Sequence, residues 1–184
     1  ANVESSVEIR LRLMGGGMGR DFPPIVVVTP GARHVTAPID ATVFADGTLT
    51  LMGTVVDLAG NHSPSKVTAV LKDVLPPAAP VSAVVTSPNA PSGYVNAAIA
   101  SSVPVLVTFG AQASTDDHVV ATLSDGSATV ESPSATCVVG SGVTVNLNAA
   151  LLAEGTLTVR TRVTDAAGNV TETTAPSTVV LDRT

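Results

Sequence analysis

Acidic side chains and asparagines recur at two corresponding places, and their chemistry is that of a cation site. Ca²⁺ takes about six to eight hard oxygen ligands, mostly from carboxylates and carbonyls. Two sets of candidate ligands stand out, the first made of Asp57, Asn61 and Asp73 and the second of Asp165, Asn169 and Asp182. Each set supplies only two carboxylates, and Asp and Asn also brace turns through backbone N–H groups two residues on. Turn capping is therefore the simpler interpretation, and Ca²⁺ is the only cofactor that the sequence suggests.

The remaining reactive residues lack the spacing of a catalytic centre. Residues 116–118, Asp-Asp-His, lie in a polar loop with no nucleophile placed opposite them. The Gly-rich stretch 14–20 has no following Lys-Ser or Lys-Thr, so it predicts a hairpin loop rather than a phosphate-binding loop. Cys137, the single cysteine, lies in a β-type run and is expected to be a small buried hydrophobe. The sequence therefore predicts a protein that is not an enzyme.

Composition excludes several partner classes. The net charge is −6, which disfavours binding to a phosphate backbone. Aromatic residues make up only 2%, so a stacking platform for a surface glycan is nearly absent, although a glycan stays a candidate ligand. No apolar run reaches the roughly 18 residues of a membrane span. Hydrophobic residues reach 45%, which is enough for an aliphatic core.

The chain contains an internal repeat. Residues 45–61, ADGTLTLMGTVVDLAGN, match residues 153–169, AEGTLTVRTRVTDAAGN, at an offset of 108. Residues 1–13 align with 97–109 at an offset of 96, which predicts 12 extra residues inside the second copy. A Pro-rich stretch follows Asp73 and predicts a stiff linker. The boundaries are therefore 1–75 for the first repeat and 76–184 for the second.

The first repeat is predicted to be incomplete. It has no counterpart of roughly 81–96, the leading strand of the second repeat. Either the chain was cut from a longer array, or a neighbouring molecule donates that strand.

Hydrophobic periodicity predicts strands throughout. Leu157, Val159 and Val163 alternate with polar residues. The first repeat shows the same alternation at Val7, Ile9, Leu11 and Leu13. No helical period is sustained. About seven short strands in roughly 105 residues are typical of an antiparallel sandwich. The expected fold is all-β: two tandem immunoglobulin-like sandwiches, the first without its leading strand.

The segment 156–169, TLTVRTRVTDAAGN, with a final strand ending in Val-Leu-Asp, resembles bacterial immunoglobulin-like repeats of the D-x-A-G-N type. Residues 55–61 and 70–80 carry the same likeness. The resemblance implies a secreted or surface-anchored bacterial protein: a stalk, spacer or adhesin repeat whose partners are neighbouring repeats or other subunits. In related adhesin repeats the linker often binds Ca²⁺. Two alternatives are a filament subunit assembled by strand exchange and a carbohydrate-binding module of a secreted enzyme.

Overall fold

The computed structural model describes residues 6–28, 34–86, 93–173 and 177–184. The chain divides into two compact units, Ala1–Val74 and Leu75–Thr184. Every regular element in the described ranges is a strand, which confirms the all-β prediction. Within those same ranges, no helix has the length and apolar character needed to cross a membrane.

The first unit forms one antiparallel sheet from five strands. They are β1 (Val7–Gly15), β2 (Met18–Asp21), β3 (Ile25–Val27), β4 (Gly47–Val56) and β5 (Lys66–Lys72). The order is β2-β1-β4-β5, and β3 pairs with the first half of β1. The Gly-rich stretch forms the predicted hairpin loop: Gly15 pairs with Met18, and the two residues between them are glycines at φ of +57° and +80°. Positive φ at both central residues is the requirement of the tight hairpin turn.

One face of this sheet is apolar because strand residues alternate between two faces. Leu13 of β1 and Leu49 of β4 lie on that face and are buried with Phe44. Phe44 belongs to a short irregular segment, 39–44, that folds over one part of the face, where its N–H donates to the carbonyl of Ala41 at 3.1 Å. These three side chains form the buried core cluster of the first unit, and Val56, the last residue of β4, is buried outside it.

The second unit is a sandwich of two sheets. Its strands are β6 (Ser82–Val85), β7 (Tyr94–Val95), β8 (Val103–Thr108), β9 (His118–Ser124), β10 (Thr129–Glu131), β11 (Ala135–Thr136), β12 (Gly142–Leu147), β13 (Gly155–Thr164), β14 (Val170–Glu172) and β15 (Ser177–Leu181). The larger sheet runs β10-β9-β13-β15-β7, with β11 beside β9 and β14 beside β13. The smaller sheet runs β12-β8-β6. A continuous aliphatic core fills the space between the sheets.

Strand register shows which elements of the two units correspond. In the first unit Glu8 pairs with Val56, and in the second His118 pairs with Thr164, giving offsets of 110 (118 − 8) and 108 (164 − 56). The same two offsets hold along both strand pairs, so β1 corresponds to β9 and β4 to β13. By the same comparison β2 corresponds to β10, β3 to β11 and β5 to β15.

This correspondence corrects one sequence-based alignment. Residues 1–13 were aligned with 97–109 at an offset of 96, but that second range contains β8, which pairs with β12 and β6 and not with β13. The error has a physical cause. Strands with period-2 aliphatic alternation look alike in sequence, whereas the partner of each strand is a tertiary property.

The first unit therefore differs from a complete sandwich by more than one leading strand. Its described residues contain no counterpart of β6, β7 or β8. Residues 34–39, which correspond to β12 at an offset of 108, form no strand. Since β12 pairs with β8, the lack of a β8 counterpart removes the partner that a strand at 34–39 requires. The predicted first sandwich is, within the described residues, a single sheet with a partial cover.

Candidate functional site

The two D-x-A-G-N turns are closed by the same bonds. In the first, the Asn61 N–H donates to Asp57 Oδ1 at 2.7 Å and Asn61 Nδ2 donates to Asp57 Oδ2 at 2.7 Å. In the second, Asn169 makes both bonds to Asp165, at 2.8 and 2.9 Å. Both carboxylate oxygens of each Asp therefore accept bonds from amides of the turn, as the capping interpretation requires.

The remaining predicted Ca²⁺ ligands lie elsewhere. Lys72 pairs with Gly47, the first residue of β4, so Asp73 follows at that end of the strand. Asp57 follows Val56, the last residue of β4, and a ten-residue strand spans about 30 Å. In the second unit Leu181 pairs with Gly155, so Asp182 and Asp165 are separated in the same way.

The structure therefore does not bring the three predicted ligands of either set together. The structure brings Asp57 to Asn61 and Asp165 to Asn169, whereas Asp73 and Asp182 lie at the far ends of the strands. In the described part of the chain, no three His, Cys, Asp or Glu side chains are grouped so that they could hold a metal ion. The sequence could not show this separation because sequence proximity to the linker does not fix which end of a strand a residue occupies.

Hydrogen bonding also sets the acid–base behaviour of these turns. The Asn169 side chain, followed by turn N–H groups, lowers the pKa of Asp165, and Asn61 acts likewise on the pKa of Asp57. A carboxyl group whose pKa is lowered in the folded state contributes its full stabilisation at pH values above its usual pKa. That stabilisation is lost as the pH falls through the lowered pKa.

We therefore expect acid sensitivity at the second turn. The melting midpoint of the second unit should fall as pH drops below the usual Asp pKa of about 3.9. The Asp165→Asn variant should be less stable at neutral pH and should lose less stability on acidification, because its amide does not titrate. Thermal melts of both proteins between neutral pH and pH 2 check this. Equal acid sensitivity in the two proteins would assign the effect to other carboxylates.

A second acid recurs at corresponding places in both units, as Asp46 in the first and Glu154 in the second. Asp46 accepts a bond from Lys72 Nζ at 2.7 Å and one from the Val74 N–H at 3.2 Å. Glu154 holds the corresponding place and accepts the Arg183 N–H at 3.1 Å. Each acid therefore fastens the chain where the last strand of its unit ends. In the sequence, the signal for this role is an acidic residue directly before the Gly that begins β4 in one copy and β13 in the other.

The other chemistry-bearing residues are engaged in structure. Asp117 is buried and accepts the Ser114 N–H at 3.1 Å. The side chain of His118 belongs to β9, in which it is exposed. Burial, with a smaller contribution from Asp117, raises the pKa of the Cys137 thiol to about 11, so Cys137 is the buried hydrophobe that its sequence context predicts.

The largest difference between the units is an exposed apolar surface on the first. We call it the open face: the apolar side of the first unit's sheet beyond the cover of residues 39–44. Val55 of β4 is 39% exposed, whereas its counterpart Val163 is 1% exposed. Val70 of β5 is 44% exposed, whereas Val179 is 3% exposed. Burial differs this much because the sheet β12-β8-β6 covers the second unit's face.

A groove runs along the open face between β5 and the covering segment. It has a volume of about 320 Å³ and a lining formed mainly by aliphatic side chains of β4, β5 and residues 39–41. Leu51 and Ile39 line it half-buried. Their counterparts in the second unit, Val159 and Leu147, are 1% and 2% exposed.

The outer edge of β5 is also open. β5 is the last strand in the order β2-β1-β4-β5, and no described strand lies beside its outer edge. In the second unit the corresponding edge of β15 is covered by β7, which runs parallel to it. The Val180 N–H donates to the Gly93 carbonyl and the Asp182 N–H to the Val95 carbonyl, both at 2.9 Å. The open face and the β5 edge together are the strongest candidate interaction site of the described chain.

Comparisons with known proteins give limited information. No family model and no curated protein matches the chain. Among solved structures, it is similar to a tetra-tandem repeat in the extending region of a large adhesion protein, with 19% identity and a TM-score of 0.39. It is also similar to a structure of a 1.5-MDa bacterial ice-binding adhesin, with 18% identity and a TM-score of 0.35.

The two matches cover 98% and 100% of this chain, which spans 42% and 55% of the length of those chains. The TM-scores are too low to support an argument about function.

Proposed function

We propose that the chain is a non-catalytic structural module of a bacterial extracellular or cell-surface protein, serving as a stalk or adhesin repeat. The observation that carries the proposal is the repetition of one structural scheme. The same strand registers and the same Asp–Asn turn occur in both units at offsets of 108 to 110. Proteins that act as spacers are built by repeating one unit along the chain.

The chemistry of the described residues supports a non-enzymatic role. A catalytic centre needs a nucleophile or base held beside its partner and a place for the reacting atom. Here the Asp residues of the turns accept amide bonds, and the Cys137 thiol is buried. Tyr94 is the only aromatic side chain with substantial exposure, which leaves a carbohydrate-binding module without a stacking surface.

The pairing of β7 with β15 suits a module that transmits tension. Tension on the N-terminal side of the second unit meets β6 first and reaches β7 from its N-terminal end once β6 has separated from β8. On the other side, tension reaches β15 from its C-terminal end. Because the two strands are parallel, they are drawn in opposite directions along their length. The hydrogen bonds from the Val180 and Asp182 N–H groups to the β7 region then bear the load at the same time, so they must break together and not one after another.

Force spectroscopy tests this role directly. Stretching the chain between its ends should unfold the second unit in one event that releases about 300 Å of chain, at roughly 3.5 Å per residue. The Asp182→Pro variant lacks the N–H that bonds to Val95 and should unfold at lower force. The matched control is Thr184→Pro, since that N–H bonds only to the Asp182 side chain among the described residues. Gradual extension without a distinct event would contradict a tension-transmitting role.

A filament subunit assembled by strand exchange is the second candidate, and the open face favours it. An unpaired edge beside an apolar face accepts an added strand by main-chain bonding and side-chain burial. Size-exclusion chromatography at increasing concentration distinguishes the two candidates, because a filament subunit should elute progressively earlier.

A further inference from the structure

We infer that the open face of the first unit binds a layer of strands equivalent to β6, β7 and β8, on a stretch of polypeptide joined directly ahead of β1. This inference concerns the assembly of the first unit. It goes beyond the proposed function and does not depend on it.

The open face matches one half of a sandwich residue by residue. Three residues of the covering segment, Ile39, Ala41 and Phe44, correspond at one offset of 108 to Leu147, Ala149 and Leu152. The turn bond from Phe44 to Ala41 is repeated by the bond from Leu152 to Ala149, both at 3.1 Å. Among the described residues of the first unit, the part of the second layer that follows β3 in sequence is therefore present, and the part equivalent to residues 81–109 is not.

The second unit shows which chemistry the occupant of the open face needs. In the second unit the inward residues of β8 are Val103, Val105 and Val107, and each is fully buried against the larger sheet. Val95 of β7 is equally buried and pairs with Leu181. The Ala149 N–H donates to the Ala100 carbonyl at 2.8 Å. This bond joins the turn after β7 to the second unit's counterpart of the covering segment. The occupant must supply a parallel strand for the β5 edge and an alternating aliphatic strand for residues 34–39.

The position of the layer in the second unit indicates its source in the first. In the second unit β8 ends at Thr108 and β9 begins at His118, so the layer lies immediately ahead of β9 in sequence. Since β1 is the counterpart of β9, a layer joined directly ahead of β1 reaches the open face by the same short link. A second copy of this chain is a poorer source, because its own β6, β7 and β8 already cover its second unit.

The sequence itself provides the material for a test. The extended protein carries a second copy of residues 76–116 placed directly before Val7, which preserves the offset of 110 between β1 and β9. Residues 7–184 follow unchanged in place of the full chain, so the second unit serves as an internal reference. The matched control carries Val105→Asp in the added copy only, which places a charge on the strand that must be buried.

Hydrogen exchange is the main readout. In the extended protein, exchange at the β5 amides should slow by about 100-fold or more relative to the original chain, because these amides join a cooperative unit. Amides of residues 34–39 should become protected as well, and binding of an apolar dye should fall. The Val105→Asp control should show neither change, while exchange in the second unit stays the same in all three proteins.

Several results would overturn the inference. Unchanged exchange in β5 of the extended protein would show that the face does not accept this layer. Equal protection in the extended protein and its Val105→Asp control would show that burial of the aliphatic strand is not the cause. A concentration-dependent dimer of the original chain with slow β5 exchange would make a second copy the occupant. None of these results bears on the force measurement, which reports on the second unit.

Discussion

Val179→Asp should unfold the second unit, whereas Val70→Asp should leave the first unit folded. The two valines hold corresponding places in β15 and β5, at an offset of 109. Val179 is 3% exposed, so the new carboxylate would be buried without a partner, and we expect a loss of about 4 kcal/mol or more. Val70 is 44% exposed on the open face, and a cost of no more than about 1 kcal/mol is expected there.

Chemical denaturation followed by circular dichroism measures both variants, with exchange at β4 and β13 amides to identify which unit unfolds. The pair is informative because residue type, strand position and sheet face are the same, and only the covering layer differs. A large loss from Val70→Asp would show that the open face is covered in solution. In that case the original chain already contains or recruits the second layer.

Phe44→Ala should abolish the folded state of the first unit without changing the second. Removing a buried Phe side chain costs about 3–5 kcal/mol. Phe44 is one of the three residues that form the buried core cluster of its unit, together with Leu13 and Leu49. A small core gives the first unit a small free energy of unfolding. A loss of this size exceeds that free energy.

The matched variant is Leu152→Ala in the second unit, since Leu152 is the counterpart of Phe44 and is 2% exposed. Its cost of about 2–5 kcal/mol falls on a much larger aliphatic cluster, so the second unit should stay folded with a lower midpoint. Two-dimensional amide NMR spectra of the three proteins decide the outcome. Loss of second-unit signals in Phe44→Ala, or retention of the first-unit signals, would contradict the expectation.

Local features of the fold followed from the sequence because they depend on local physics. Period-2 alternation predicted the strands, and the glycines at 16 and 17 predicted the β1–β2 hairpin. The D-x-A-G-N motif predicted turns capped by Asp, and the bonds of Asp57 and Asp165 have that form. In each case the decisive contacts lie within a few residues of one another along the chain.

The features that did not follow depend on which strand pairs with which. An alternating strand such as β1 resembles β8 as closely as β9 in sequence, and only its pairing with β4 identifies the counterpart. The positions of the candidate Ca²⁺ ligands depend on register in the same way. Asp73 and Asp57 are separated by the length of β4, which register reveals and sequence distance does not. The sequence predicted that the first repeat lacks its leading strand, but the extent of the open face follows from which whole strands have counterparts.

The central claim is that the first unit presents one sheet of a sandwich, with the open face and the β5 edge uncovered. Amide hydrogen exchange of the original chain tests this claim most directly. The comparison is between β5 and its counterpart β15, whose edge is covered by β7. We predict slow exchange in β15, limited by unfolding of the second unit, and exchange in β5 that is faster by about 100-fold or more. Equal protection of β5 and β15 in the monomeric chain would contradict the account.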